Sequence, residues 1–113
     1  MVSFETAKRL KNAGFPQRFH SGYAFSDQGL TIQLVGEWQH KVMDTDLAIP
    51  TLNELIKACG ERFGGLEHYP NESRNRFRAY LQPPETLSGY GHTPEEAVAR
   101  LWLVLNKKTM QAS

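Results

Sequence analysis

The sequence has little of several features that would assign it to a particular class of protein. It contains a single cysteine, Cys59, so a framework of intramolecular disulfides is excluded and a reducing compartment is favoured. Thirteen Lys and Arg residues stand against twelve Asp and Glu residues, which leaves a formal net charge of +1. This balance removes the global electrostatic argument for nucleic-acid binding, which would therefore require a local basic patch.

Long apolar runs are also missing. The longest, Leu101 to Leu105, is far too short to cross a bilayer, and the charged N-terminal stretch MVSFETAKRLKNAG lacks the apolar core of a signal peptide. These absences predict a cytoplasmic protein with no membrane partner. The 113 residues, 40% hydrophobic and 22% charged, are ordinary for a globular chain, and we predict one domain over residues 1–113.

Spacings that carry catalytic or metal chemistry are not found in the sequence. The four histidines do not pair at HxH or HxxxH spacing, and no second cysteine supports a zinc site. Asp44 and Asp46 could place two carboxylates together, but no glycine-containing calcium loop surrounds them. No Ser-His-Asp order or glycine-rich phosphate loop is present. We therefore predict a protein that is not an enzyme, with no catalytic residues, metal or cofactor.

Two stretches in the first half of the chain carry helix signals. Ser3 is the predicted N-cap of the first helix, and Gly14 supplies a left-handed stop after it. Thr51 and Glu54 form a capping box at the start of the second. The spacing of its apolar residues predicts one buried stripe on that helix, which extends as far as Phe63: Leu52, Leu55, Ile56, Cys59 and Phe63.

Alternating residues predict the strands. Two short runs on either side of Ser26–Gly29 form a β-hairpin, residues 66–69 and 77–82 form two further strands, and residues 87–90 add an edge segment. Residues 36–50 show neither helical nor strand period and predict a long connection. The predicted fold is α+β in the order α-β-β-α-β-β-α, with an antiparallel sheet of about four strands packed by three helices.

The stretch GHTPEEAVARLWLVL predicts the last helix. Thr93 is its N-cap, Pro94 takes the first helical position, and Glu96 completes a second capping box. The helical period predicts an inward stripe made of five apolar residues: Ala97, Val98, Leu101, Val104 and Leu105.

Trp102 and Leu103 lie outside this stripe, so the last helix is either covered on two sides or meets a partner chain. These two residues are our candidate interface, and a two-fold homodimer is the favoured interpretation. The alternative is that the 36–50 connection, with Trp38 and Met43, covers Trp102 within one chain.

A basic run precedes and enters the predicted 77–82 strand. Its alternation places two arginines and a tyrosine on the solvent face, and arginine interleaved with an aromatic residue suits phosphate contact and base stacking. An ordinary solvated strand face, paired with neighbouring glutamates, is the favoured interpretation. The candidate nucleic-acid-binding residues are Arg74, Arg76, Arg78 and Tyr80.

Most of the chain resembles a group of small phage and prophage proteins, through the segments AKRLKNAGF, PTLNEL and TPEEAVARLWLVL and the aromatic hairpin between the first two. It is also similar to the phage α-β-α sandwich domain. These groups have no assigned activity, so the resemblance implies a fold and a phage context without chemistry. With the missing catalytic spacings and the wide apolar helix, it favours an accessory protein that binds an unknown protein partner.

The stretch FRAYLQPPETLSGYGHTPEEAVARL is similar to the end of a HicB-type antitoxin domain, where a strand leads through a turn to a GxTPEEA helix start. This resemblance implies an antitoxin-type binding module. Protein binding is thus the first hypothesis, nucleic-acid binding the second and an antitoxin-like role the third.

Overall fold

A computed structural model describes residues 2–17, 23–33 and 46–112, with side chains up to residue 106 and excluding that of residue 33. Within these ranges the fold is α+β. The elements in chain order are α1 (Phe4–Asn12), β1 (Tyr23–Phe25), β2 (Thr31–Gln33), β3 (Leu47–Ala48), α2 (Leu52–Cys59), β4 (Phe63–His68), β5 (Phe77–Leu81), β6 (Ser88–Gly91) and α3 (Pro94–Ala112). The predictions that concern Trp38, Met43 and Asp44 lie outside the described residues.

The strands form two antiparallel sheets rather than the predicted single sheet of about four strands. Their strand orders are β2-β1-β3 and β4-β5-β6. The predicted order of elements was wrong because β3 lies in the stretch assigned to a long connection, where it pairs with β1 at Ala24 and Ala48. Two residues cannot show an alternating pattern, so this strand has no periodic signal in the sequence. The predicted edge segment is confirmed as β6.

Both predicted ends of α1 are confirmed. The Ser3 hydroxyl oxygen accepts a hydrogen bond from the Thr6 amide. At the other end Gly14 has a φ of +91°, the Phe15 amide donates to the Leu10 carbonyl oxygen at 2.9 Å, and the Gly14 amide donates to Lys11 at 3.1 Å. This pair of bonds satisfies carbonyl groups that would otherwise be left open at the helix end.

The capping box of α2 is confirmed, but the helix ends earlier than predicted. The Thr51 and Glu54 side chains exchange hydrogen bonds with each other's backbone. At Gly60 the backbone takes a φ of +76°, which ends the α-helix after Cys59 and begins a short 3₁₀ turn, Gly60–Arg62. Phe63 was therefore wrongly assigned to the helical stripe. It opens β4, where it pairs with Leu81 of β5.

Helix α3 lies at the centre of the fold. It contacts β5 and β6 of the second sheet as well as α1 and α2. The predicted stripe is only partly correct, because Val104 is 38% exposed whereas Ala99, outside the stripe, is fully buried. A helix with neighbours on several sides has no single inward face. Across the described ranges, no helix combines the length and apolar character needed to cross a membrane.

Candidate functional site

The second sheet has two chemically different faces. Ala79 and Leu81 are buried on the face that packs against α3. Because successive side chains point to opposite faces of a strand, Arg78 and Tyr80 lie on the other face. Glu67 and Tyr90 pair with Arg78, and Ser88 pairs with Tyr80, so these residues continue that face. Tyr69 follows β4, and its hydroxyl donates to Glu67 Oε2. We call these six residues the tyrosine face: Glu67, Tyr69, Arg78, Tyr80, Ser88 and Tyr90.

Arg78 is fixed at the centre of the tyrosine face. Its Nε donates to the Ser88 hydroxyl at 3.1 Å, its Nη1 lies 3.4 Å from Glu67 Oε1, and its Cζ lies 5.1 Å from the centroid of the Tyr80 ring. Partial burial opposes the charged form of Arg78. The interactions with Glu67, Tyr90 and Tyr69 outweigh this effect, so the pKa of Arg78 is raised. The cation is thus held in one position and matched by one carboxylate.

The tyrosines around Arg78 present large aromatic surfaces. Tyr90 is 43% exposed and Tyr69 is 36% exposed, whereas Tyr80 is half-buried. The Tyr69 hydroxyl donates to Glu67 Oε2, and this hydrogen bond, with a smaller effect of burial, raises the pKa of Tyr69. The face therefore combines aromatic rings of restricted orientation with an internally paired charge.

The four basic-run residues predicted from the sequence do not form one surface. Arg78 and Tyr80 share the tyrosine face, as predicted. Arg76 lies one residue before β5: its carbonyl oxygen accepts from the Tyr69 amide at 2.6 Å, and its Nε donates to the Glu72 carbonyl oxygen at 3.1 Å. These bonds shape the turn between β4 and β5. Arg74 lies in the same turn and faces a different region, beside α3.

Arg74 lines an open cleft of about 530 Å³ between the β4–β5 turn and the first turns of α1 and α3. We call it the arginine cleft. Its lining consists of polar and charged side chains: Ser3, Ser73, Arg74, Asn75, His92, Thr93, Glu96 and Arg100.

Glu96 forms the floor of the arginine cleft and is only 6% exposed. The Glu96 amide donates to the Thr93 hydroxyl oxygen at 3.2 Å, as the predicted N-cap requires. The Glu96 side chain, however, does not complete the capping box with the Thr93 amide. Its Oε1 accepts from the Ser3 amide and its Oε2 accepts from the Thr6 hydroxyl at 2.7 Å. Glu96 therefore caps α1 instead of its own helix and joins the two helix starts.

Arg100 lies one turn further along α3, on the rim of the cleft. Its Nη1 donates to the Tyr90 carbonyl oxygen at 3.0 Å, and its Nε lies 3.6 Å from Glu96 Oε2. These two contacts come from different elements and fix the orientation of the guanidinium group.

The predicted interface residues have neighbours within the chain. The Trp102 ring meets the Phe15 ring edge to face, with 5.0 Å between centroids, and both Trp102 and Leu103 are half-buried against the core. The Asn106 amide side chain reaches the Ala13 carbonyl oxygen at 3.1 Å, next to this contact. Part of the apolar surplus of the last helix is thus covered by the segment that follows α1. The homodimer itself stays a prediction.

Sequence reasoning missed Tyr69, Tyr90, His92 and Arg100 as site residues. Tyr90 was detectable in principle, because it ends the predicted 87–90 edge segment between Gly89 and Gly91. The positions of His92 and Arg100 beside Arg74 depend on how the turn between β4 and β5 folds back, for which the sequence has no local signal.

Cys59 is buried, and burial raises the pKa of its thiol to about 11, which makes it a packing residue rather than a nucleophile. Among the described residues, no three His, Cys, Asp or Glu side chains are placed to hold a metal ion.

Compared with known proteins, the chain matches no family model, no curated protein and no solved structure.

Proposed function

We propose that this chain is a non-enzymatic cytoplasmic accessory protein that binds another protein through the tyrosine face. One observation carries the proposal: Tyr69, Tyr80 and Tyr90 surround a charge-paired Arg78 on the sheet face opposite α3. Tyrosine and arginine are the residue types most enriched at the energetic centres of protein interfaces.

The rigidity of the tyrosine face supports this proposal. Association costs free energy for every side chain that must be ordered, and an aromatic ring on a strand has few rotamers to lose. Arg78 is already held by Ser88 and Glu67. A partner would therefore meet a surface whose central groups have been ordered by folding.

The charge balance favours a protein over a nucleic acid. A protein surface that binds nucleic acid needs Lys or Arg side chains that are free to replace the counterions of the phosphate groups. On the tyrosine face the single arginine lies 3.4 Å from a carboxylate, so the face adds no net charge. A protein partner with polar and aromatic groups is the better match.

The biological setting comes from the sequence resemblances. Similarity to small phage and prophage proteins supports an accessory role in that context, and the HicB-like C-terminal stretch also supports a binding role. Neither resemblance names a partner, so the proposal stays with the class of protein binding and with a surface that can be tested.

The test uses a pair of tyrosines with similar exposure on different sheets. Tyr90 is 43% exposed on the tyrosine face, and Tyr23 is 46% exposed on the first sheet. Quantitative affinity capture from a bacterial lysate is carried out with wild type, Tyr90→Ser and Tyr23→Ser, and the dissociation constant of each captured protein is then measured with purified components.

We expect Tyr90→Ser to raise the dissociation constant of a specific partner by about thirtyfold, the effect of losing an interface residue worth about 2 kcal/mol. We expect Tyr23→Ser to leave that dissociation constant unchanged. Circular dichroism confirms that both variants are folded. Equal capture by all three proteins, or no specific partner of the wild type, would contradict the proposal.

A second candidate function is single-stranded nucleic-acid binding on the same face, favoured by the stacking of Arg78 on Tyr80. Binding of a labelled single-stranded RNA would then weaken with salt, with a logarithmic slope of about −0.7 for the one phosphate contact that Arg78 can make. Tyr80→Ala should remove the binding. Binding that is independent of salt, or unchanged in this variant, would eliminate the second candidate.

A further inference from the structure

We propose that the arginine cleft is a binding site for a small phosphate monoester. The inference does not depend on the tyrosine face, since the cleft lies beside the helix starts and has its own lining. It depends on two arginines that converge on one cavity, on the state of the buried carboxylate at its floor, and on the cavity's volume.

The guanidinium groups of the two arginines differ in their contacts, and each is suited to bind an anion. Within the part of the chain that the structure describes, Arg74 makes no hydrogen bond or ion pair, so its donors are available to a ligand. Arg100 is held by the Tyr90 carbonyl oxygen and by Glu96. A cation whose position is fixed in advance loses little conformational freedom when it binds an anion.

Glu96 is the one acidic side chain in the lining, and its interactions leave the cleft favourable to anions. Its Oε1 accepts from the Ser3 amide and its Oε2 accepts from the Thr6 hydroxyl, and Oε2 also lies 3.6 Å from Arg100 Nε. The side chain is buried beneath the cleft rather than exposed in it. Two guanidinium groups against one carboxylate leave these side chains of the lining with a net positive charge.

The donors in the lining suit a phosphate better than a carboxylate. Guanidinium groups bind phosphate oxygens through paired N–H donors, and a monoester offers three such oxygens where a carboxylate offers two. Ser73, Asn75 and Thr93 add polar groups around the two arginines. A cleft of about 530 Å³ is within the range of small-molecule sites. It leaves room for an organic group attached to the phosphate.

The test measures binding of phenyl phosphate to the full chain by calorimetry and by backbone NMR shifts, with phenyl sulfate and benzoate as matched anions. Variants Arg74→Gln and Arg100→Gln remove the two cations separately. Arg62→Gln is the control, because Arg62 is a half-exposed arginine paired with Glu85 away from the cleft.

We expect saturable binding of phenyl phosphate, with shifts concentrated at residues 73–75 and 92–100. Loss of either cleft arginine should weaken it by about tenfold or more, as expected for hydrogen bonds between charged groups. Arg62→Gln should have no effect. Because Arg74 makes no hydrogen bond or ion pair within the described ranges, Arg74→Gln is expected to report on the ligand without a contribution from folding.

Three results would overturn the inference. The first is binding of phenyl sulfate or benzoate as strong as that of phenyl phosphate, which would indicate a general anion surface. The second is an unchanged affinity in Arg74→Gln. The third is tighter binding of a 5′-phosphorylated oligonucleotide than of phenyl phosphate, which would assign the cleft to nucleic acid.

Discussion

Helix α3 lies very close to the second sheet at Gly89 of β6, and this allows a sharp test of the packing. A methyl group added there would lie 2.9 Å from Leu101 Cα and closer still to the Leu101 amide nitrogen and the Ala97 carbonyl oxygen. These are backbone atoms of a buried helix and cannot rotate away. To reach ordinary contact the helix would have to move by about 1 Å, and overpacking of this kind typically costs about 1–3 kcal/mol.

We expect Gly89→Ala to lower the free energy of unfolding by about 3 kcal/mol, the upper end of that range, because the displaced helix also loses its contacts to α1 and α2. Urea titration followed by circular dichroism and by tryptophan fluorescence measures the loss. Such a loss is a large fraction of the free energy of unfolding of a typical domain of this size.

Gly14→Ala is the matched control for Gly89→Ala. Gly14 has a φ of +91° with nothing within 4 Å of an added Cβ, so alanine there costs only about 1 kcal/mol of backbone strain. If Gly89→Ala destabilises the protein by no more than Gly14→Ala does, the close packing of α3 on β6 is refuted.

The other predictions concern the core and the last helix. Leu101→Ala, at a fully buried site, should cost about 2–5 kcal/mol in the same titration, and a loss well under 1 kcal/mol would remove Leu101 from the core. Thr6→Val deletes the hydroxyl that donates to Glu96 and should cost about 2 kcal/mol; a neutral effect would contradict the link between α1 and α3. Since burial raises the pKa of Cys59 from 9.0 to about 11, its thiolate population at mildly alkaline pH should be about a hundredfold lower than in the unfolded chain, and reaction with a disulfide reagent should slow accordingly. Sedimentation equilibrium at micromolar concentration tests the homodimer, and a monomer mass would reject an interface through Leu103.

The starts of the helices were predictable because they are encoded by residues three apart. Thr51 with Glu54 and Ser3 with Thr6 are local pairs whose geometry depends on one helical turn. The C-terminal end of α2 was not predictable in the same way. Phe63 continues the helical spacing, and only the backbone conformation of Gly60 places it in a strand.

The tyrosine face was half predictable. The alternation along β5 correctly places Arg78 and Tyr80 together, because side-chain direction within one strand has a fixed period. The other members come from β4, from Tyr69 just after it, and from β6, and the register across the sheet pairs Arg78 with Glu67 on one side and with Tyr90 on the other. Pairing of strands is a long-range property that no short segment specifies by itself.

Glu96 shows how a local rule can be overridden to build a site. Its position three residues after Thr93 predicts a capping box, but its side chain instead accepts hydrogen bonds from α1. The cap of one helix is thus provided by the next-but-one helix, which fixes the start of α1 beside the start of α3. That contact buries Glu96, the only carboxylate among the described residues that line the arginine cleft, and leaves Arg74 and Arg100 at its rim. The same interaction that joins the two helices therefore determines the charge of the cleft, and for this reason the binding test removes the arginines and leaves Glu96 in place.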